Sequence, residues 1–270
     1  MILSILSDDA EPRNGHTVAR ALAVLDLFDG DHAIWSAEDI CAALRCPLPT
    51  GYRYLRELVS AGLVRRVSGG FALGARIILL DYVMRQGDQL LKAAIPVLRA
   101  LARQTGCDCV LSTVYGDQIV DVHREAGAAP LNLAYGRGRP RPLFRGAAPK
   151  MILAAQPLGW VHKLYDAHAG EAAAAQMGAD WRSFRATLAA LRKRGCYVSR
   201  GEVEADISAV AVPIAPAGHD AASAIALVTN TDRFEILNET LMIALLQQAA
   251  QQIALLQCDP DQRALARPAR

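Results

Sequence analysis

The residues best suited to chemistry are spread in a way that argues against an enzyme. His16, His32, His123, His162, His168 and His219 are dispersed, and His162 and His168, six apart, are poorly placed to share one helical face. No GxSxG elbow, HExxH helix or Walker-type loop occurs, and Gly136-Arg137-Gly138-Arg139-Pro140 lacks both the spacing and the following Lys-Ser/Thr of a phosphate loop. Ser199 beside Arg200 has no identified general base. Cys41, Cys46, Cys107, Cys109, Cys196 and Cys258 contain no CxxC pair to supply adjacent thiolates, so neither a metal, a cofactor nor a structural disulfide is expected. Cys107 and Cys109 would share one face of a strand and read as packing residues.

Arginine is the residue type that does concentrate. Between positions 45 and 66 stand Arg45, Arg53, Arg56, Arg65 and Arg66 against Glu57 alone, a local +4 inside a chain whose formal total is +2. Guanidinium groups suit phosphate contact and hydrogen bonding to guanine edges.

The elements that must carry these arginines follow from periodicity. Thr17 can cap a helix with Val18, Leu22, Leu25 and Phe28 at helical spacing, ending near Gly30. Ser36-Ala37-Glu38-Asp39 is a capping-box-like start for a short helix through Leu44. A third helix is expected from Pro49 to Ser60, with Leu55, Leu58 and Val59 inward and Thr50, Tyr52, Arg53 and Arg56 elsewhere on its surface. Leu63 to Val67 and Phe71 to Leu73, joined through Ser68-Gly69-Gly70, read as a hairpin. Three helices and a hairpin make a winged helix-turn-helix, with Arg65 and Arg66 on the wing.

Beyond it, 75–86 reads as a connecting helix and 89–104 as another. Strands are expected at Cys109–Tyr115 and Ile119–His123, with a further one at Pro130–Tyr135. Helices around Lys150–Ala155 and Ser183–Arg194 precede strands at Val210–Ile214 and Ala224–Val228, and one long helix, Phe234–Leu256, closes the chain. Hairpins flanked by helices describe an α+β sensing domain rather than a parallel nucleotide-binding sheet. The expected organisation is a flexible segment over 1–14, a DNA reader over 15–74, a linker helix over 75–87, a sensor over 88–258 and a flexible tail over 259–270. Its 270 residues and 52% hydrophobic content supply ample core and exclude a disordered chain. Met1–Leu6 is too short an apolar run for a secretory signal, and Thr240–Cys258 carries five glutamines, so a cytoplasmic protein with no membrane span is expected.

Four stretches together resemble the isocitrate lyase regulator (IclR) family of bacterial transcription factors: Val18–Leu25, Pro47–Leu55, Pro142–Lys150 and Arg194–Glu202. The similarity spans residues 17 to 257. It implies a winged helix-turn-helix, a linker helix and a GAF-like α/β effector-binding domain, working as homodimers that often pair into tetramers on double-stranded operator DNA. Where the family commonly reads Pro-Lys-Ser-Thr-Val-Tyr-Arg, this chain has Leu48, Pro49 and Gly51 in place of the lysine, serine and valine. One basic phosphate contact is therefore absent, while Thr50, Tyr52, Arg53 and Arg56 remain.

The resemblance also implies an effector site. Small residues at the start of a helix match Ala147 and Ala148, although Pro149 replaces the family's glycine and removes one N–H donor. Ser199 falls where an acidic residue can occur, Ala209 where a cysteine can, and Ala226 and Val228 where small hydroxyl residues can. A pocket so altered leaves the oxygens of a two- or three-carbon oxoacid short of partners and better suits an aromatic or related small organic acid. Arg145 and His123 are candidate carboxylate partners. Such a protein would control catabolic genes, and repression and activation use the same parts. The competing reading is a DNA-binding architectural protein without an effector.

Overall fold

The computed structural model describes residues 16–129, 131–133, 135–214 and 223–258; the expected flexible segments at 1–14 and 259–270 lie outside the described residues. The chain divides into two compact units, the first ending at Gly87 and the second beginning at Asp88.

The first unit contains α1 (His16–Leu22), a 3-10 turn (Leu25–Leu27), α2 (Ala37–Ala43), α3 (Leu48–Ser60), the strands β1 (Val64–Val67) and β2 (Gly70–Leu73), and α4 (Arg76–Gly87). The first helix is shorter than the expected run to Gly30. Its tightening into a 3-10 turn brings Val24, Leu27 and Phe28 into the core and leaves Val18 and Leu22 exposed. The Ser36 Oγ caps α2 by accepting from the Asp39 amide at 3.0 Å. The antiparallel β1–β2 hairpin is tied to the helices by two backbone bonds between Trp35 and Phe71. Gly70 has φ +147°, and a Cβ there would lie 2.2 Å from the Trp35 carbonyl oxygen, so only glycine permits this approach.

The second unit is a five-stranded antiparallel sheet, in the order β4-β3-β7-β6-β5, with helices on both faces. Its strands are β3 (Asp108–Tyr115), β4 (Gln118–Glu125), β5 (Tyr197–Arg200), β6 (Ile207–Ile214) and β7 (Ser223–Asn230). The helices are α5 (Gln89–Thr105), α6 (Ala147–Ala155), α7 (Leu158–Ala174), α8 (Trp181–Arg194), α9 (Thr231–Ile236) and α10 (Glu239–Cys258). Alternation sorts the strand residues. Cys109, Leu111, Val210, Val212, Ile225 and Leu227 pack under α5 and α10. Val110, Ala211, Ala224, Ala226 and Val228 face α6 and α8. That second set is mostly alanine and valine, which leaves room beneath the helices. Cys107 and Cys109 are buried together in the α5–α10 layer, and burial pushes the Cys109 thiol far up, as an inert packing residue requires.

Three expectations change. The described residues of 130–135 form no strand; the outer edge of β4 is bonded instead by a loop, whose Gly138 and Arg141 amides donate to the Asp121 and Ile119 carbonyls. The long terminal helix is two helices, because the Asn238 side chain accepts from the Leu241 amide and starts α10 afresh. Helix α7 and strand β5 were not expected; His168, with φ −133°, kinks α7 and blurs its periodicity. No helix among the described residues is long and apolar enough to cross a membrane.

Candidate functional site

In the first unit, α3 buries Gly51, Tyr54, Leu55 and Leu58 and turns Tyr52, Arg53 and Arg56 outward, with Thr50 half-buried at its start. The helix begins at Leu48, one residue earlier than expected, capped by the Pro47 carbonyl accepting from the Thr50 and Gly51 amides. Gly51 replaces a bulkier residue for a steric reason: a Cβ there would sit 2.1 Å from Cys41 Sγ. The α2–α3 turn is closed by Arg45 at φ +48° and the Cys46 amide donating to the Cys41 carbonyl at 3.0 Å. Arg65 and Arg66 are both exposed on β1, but as neighbours on a strand they leave opposite faces of the ribbon. The Arg66 guanidinium lies 5.9 Å from the Phe71 ring centre.

In the second unit, a hollow opens between the sheet and the start of α6. Its lining is drawn from all five strands of the sheet and from the residues that begin α6. Ala147, Ala148, Ser199, Ala209, Ala226 and Val228 all line it. Each is small, and the four alanines are on two strands and a helix start, so the space exists because side chains stop short of it.

Arg145 and His123 do not line the hollow. Phe144 takes the inward place in its loop, packing edge-on against Phe184, and the turn at Gly146, φ +88°, leaves Arg145 exposed. His123 is displaced by a β-bulge. The register of β3 against β4 pairs Ser112 with Asp121 but Leu111 with His123, so one extra residue sends His123 to the α5 face. There its Nε2 lies 3.0 Å from Glu125 Oε1, which also accepts from Arg99.

Besides Ser199, the polar residues lining the hollow are Ser112, Asp121, Arg141 and Glu204, which sequence reasoning missed. Ser112 Oγ donates to Asp121 Oδ1 at 2.6 Å, and Arg141 Nη1 donates to Oδ2 at 3.3 Å. Burial pushes the Asp121 carboxyl up, against the pull of Arg141. Arg141 Nε is buried with no hydrogen-bond partner, alone in this among the side-chain nitrogens and oxygens of the described residues. Such an unmade bond costs on the order of 1–3 kcal/mol. The only sequence signal for the pair was a lone Asp in an apolar strand.

A second network holds α6 in place. Lys150, buried, donates to Glu202 Oε2 at 2.7 Å and to the Tyr197 hydroxyl at 2.9 Å; that hydroxyl donates to Glu202 Oε1 at 2.7 Å. Glu202 Oε2 also accepts the Gly146 amide at 2.9 Å. Burial opposes ionisation of Glu202, but Lys150, Tyr197 and the Gly146 amide outweigh it and hold the carboxyl below its usual range.

Comparison with known proteins places these features. Residues 83–255 match the bacterial transcriptional regulator IclR C-terminal domain, and residues 17–68 match the IclR helix-turn-helix domain. The chain is 28% identical over 212 residues to a probable transcriptional regulator, SauR, of Cupriavidus necator, covering 77% of this chain and 83% of that protein. It is 25% identical over 212 residues to the HTH-type transcriptional regulator RhmR of Escherichia coli, covering 78% and 81%. Among solved structures, an IclR transcriptional regulator from Silicibacter sp. TM1040 superposes with a TM-score of 0.76 at 23% identity, over 90% of this chain and 96% of that one. An IclR homologue from Microbacterium hydrocarbonoxydans, complexed with 4-hydroxybenzoate, superposes at 0.72 and 20% identity, over 89% and 98%.

Proposed function

This chain belongs to the IclR family of bacterial transcriptional regulators, DNA-binding proteins rather than enzymes, and from that premise we propose that its hollow takes an aromatic or other small organic acid. The observation that carries this reading is the hollow itself, lined by all six small residues that the resemblance assigns to an effector site. The 4-hydroxybenzoate complex of the Microbacterium hydrocarbonoxydans homologue supports the aromatic class. A hollow lined by these residues and by the Asp121–Arg141 pair disfavours a purely architectural role.

In this reading residues 15–74 read DNA, 75–87 link and 88–258 sense; the sensor, an antiparallel sheet between helix layers, is classed as GAF-like. Tyr52, Arg53 and Arg56 enter the major groove from α3, aided by Thr50, with Arg65 and Arg66 reaching backbone from the wing. Helix α4 supports pairing of copies. None of its residues is buried, although Ile78, Leu79, Tyr82 and Val83 are apolar and more than 60% exposed. Two copies joined there, and then two pairs, give the symmetric reader that a split operator needs. The protein acts in the cytoplasm on catabolic genes.

Calorimetric titration with aromatic acids, and with glyoxylate and pyruvate, tests the ligand class. Preferential binding of the small oxoacids would overturn it.

A further inference from the structure

The hollow has one cation among its described lining residues, Arg141, and that cation carries the buried nitrogen without a partner. Its environment is built rather than incidental. Asp121 Oδ2 accepts from Nη1 at 3.3 Å, longer than is usual for a charge-assisted bond, and Ser112, fully buried, fixes the opposite oxygen of the same carboxylate. The Tyr135 ring lies 5.1 Å from the guanidinium carbon. Nη2 comes within 3.5 Å of the position a Cβ on Gly146 would take, beside the start of α6. Asp121 thus engages the guanidinium through Nη1, leaving the edge formed by the partnerless Nε and by Nη2, which lies beside Gly146.

That edge is a planar fork of the shape that receives both oxygens of a carboxylate. Val110, Ala209, Ala226 and Val228 supply apolar walls for a ligand's body, and Ser199 and Glu204 are the other polar lining residues. We infer that Arg141 is the acid-recognising residue of this pocket, positioned by Asp121 and Ser112, and that it selects a carboxylate with an apolar or flat body over its uncharged analogues. This inference rests on the effector reading above, which assigned the carboxylate no partner on Arg141.

The test is calorimetry on the full chain with benzoate, 4-hydroxybenzoate and phenylacetate, each paired with its own carboxamide, together with glyoxylate and pyruvate. The proteins are the unaltered chain, Arg141→Lys, and the double variant Arg141→Gln with Asp121→Asn, which removes both charges so that neither is left buried alone. Thermal unfolding of each establishes that it is folded. The unaltered chain should bind an aromatic acid at least about tenfold more tightly than its amide. Arg141→Lys, which keeps the charge but loses the fork, should retain part of that preference. The folded double variant should bind acid and amide alike, with the acid weakened roughly 10- to 100-fold. An acid preference unchanged in the double variant overturns the role of Arg141 and leaves the pocket reading standing. Binding of the oxoacids alone, lost in the double variant, supports Arg141 and overturns the aromatic class. Failure of every acid to bind the unaltered chain overturns both.

Discussion

Single residues here act through what surrounds them. Arg53 and Arg56 are exposed on α3; Arg53 stacks 5.7 Å from the Tyr54 ring centre, and the Arg56–Glu57 contact is long and solvent-exposed, so both are available to phosphate or base edges. Replacing either with alanine should weaken DNA binding, and loss of a phosphate contact should lower the slope of log affinity against log salt by about 0.9, measured by anisotropy at several salt concentrations. An unchanged slope and affinity in both variants would remove α3 from the interface. Glu202 shows the opposite situation, a carboxylate enclosed by donors. Its folded pKa lies below the ordinary value of 4.5, so its contribution is complete above that pH and is lost as pH falls through the folded value. Glu202→Gln leaves Lys150 buried without its anion and should cost about 3 kcal/mol near neutrality. Thermal unfolding between pH 3 and 7 should then fall less steeply with acid in the variant than in the unaltered chain, and parallel profiles would contradict this.

At the scale of elements, the close meeting of α2 and α3 sets the reader's shape. Gly51→Ala should destabilise the first unit by about 1–3 kcal/mol, because its Cβ has no place beside Cys41 Sγ, and Cys41→Ala in the same chain should restore most of the loss. Chemical denaturation of the four proteins of that cycle provides the measure, with simple additivity the contrary result. For the pairing proposed through α4, Leu79→Glu with Val83→Glu, one turn apart on the same stripe, should shift the chain to single copies in sedimentation experiments without unfolding it, and an unchanged profile would contradict that pairing. The reader was largely legible in the sequence, since its helices carry local signals: the Ser36 cap, the Pro47–Pro49 break and the Gly69–Gly70 turn. The hollow was legible only through matched small residues. Arg141 and Asp121 were not, because a residue shift between β3 and β4 decides which face Asp121 and His123 take, and no local pattern encodes that shift. Helix α7 escaped for a related reason: its alanine-rich end has no apolar stripe to detect.

The whole molecule joins a short basic reader to a sensor about twice its length, which explains a formal charge of only +2 in a DNA-binding protein. The sensor's hollow and the reader's α3 belong to different compact units, so a ligand that influences DNA binding must favour one state of the protein over another. Coupling of that kind is reciprocal and typically amounts to about 5- to 150-fold in affinity. Genome-wide mapping of bound DNA, with and without aromatic acids, would supply the operator, and sites should be gained or lost when the effector is present. The most direct measurement is then the dissociation constant for that operator across a titration of the acid that calorimetry shows to bind. A change of about fivefold or more, absent in the Arg141→Gln, Asp121→Asn double variant, is the predicted result. An operator affinity that stays constant while the acid saturates the hollow would contradict the account.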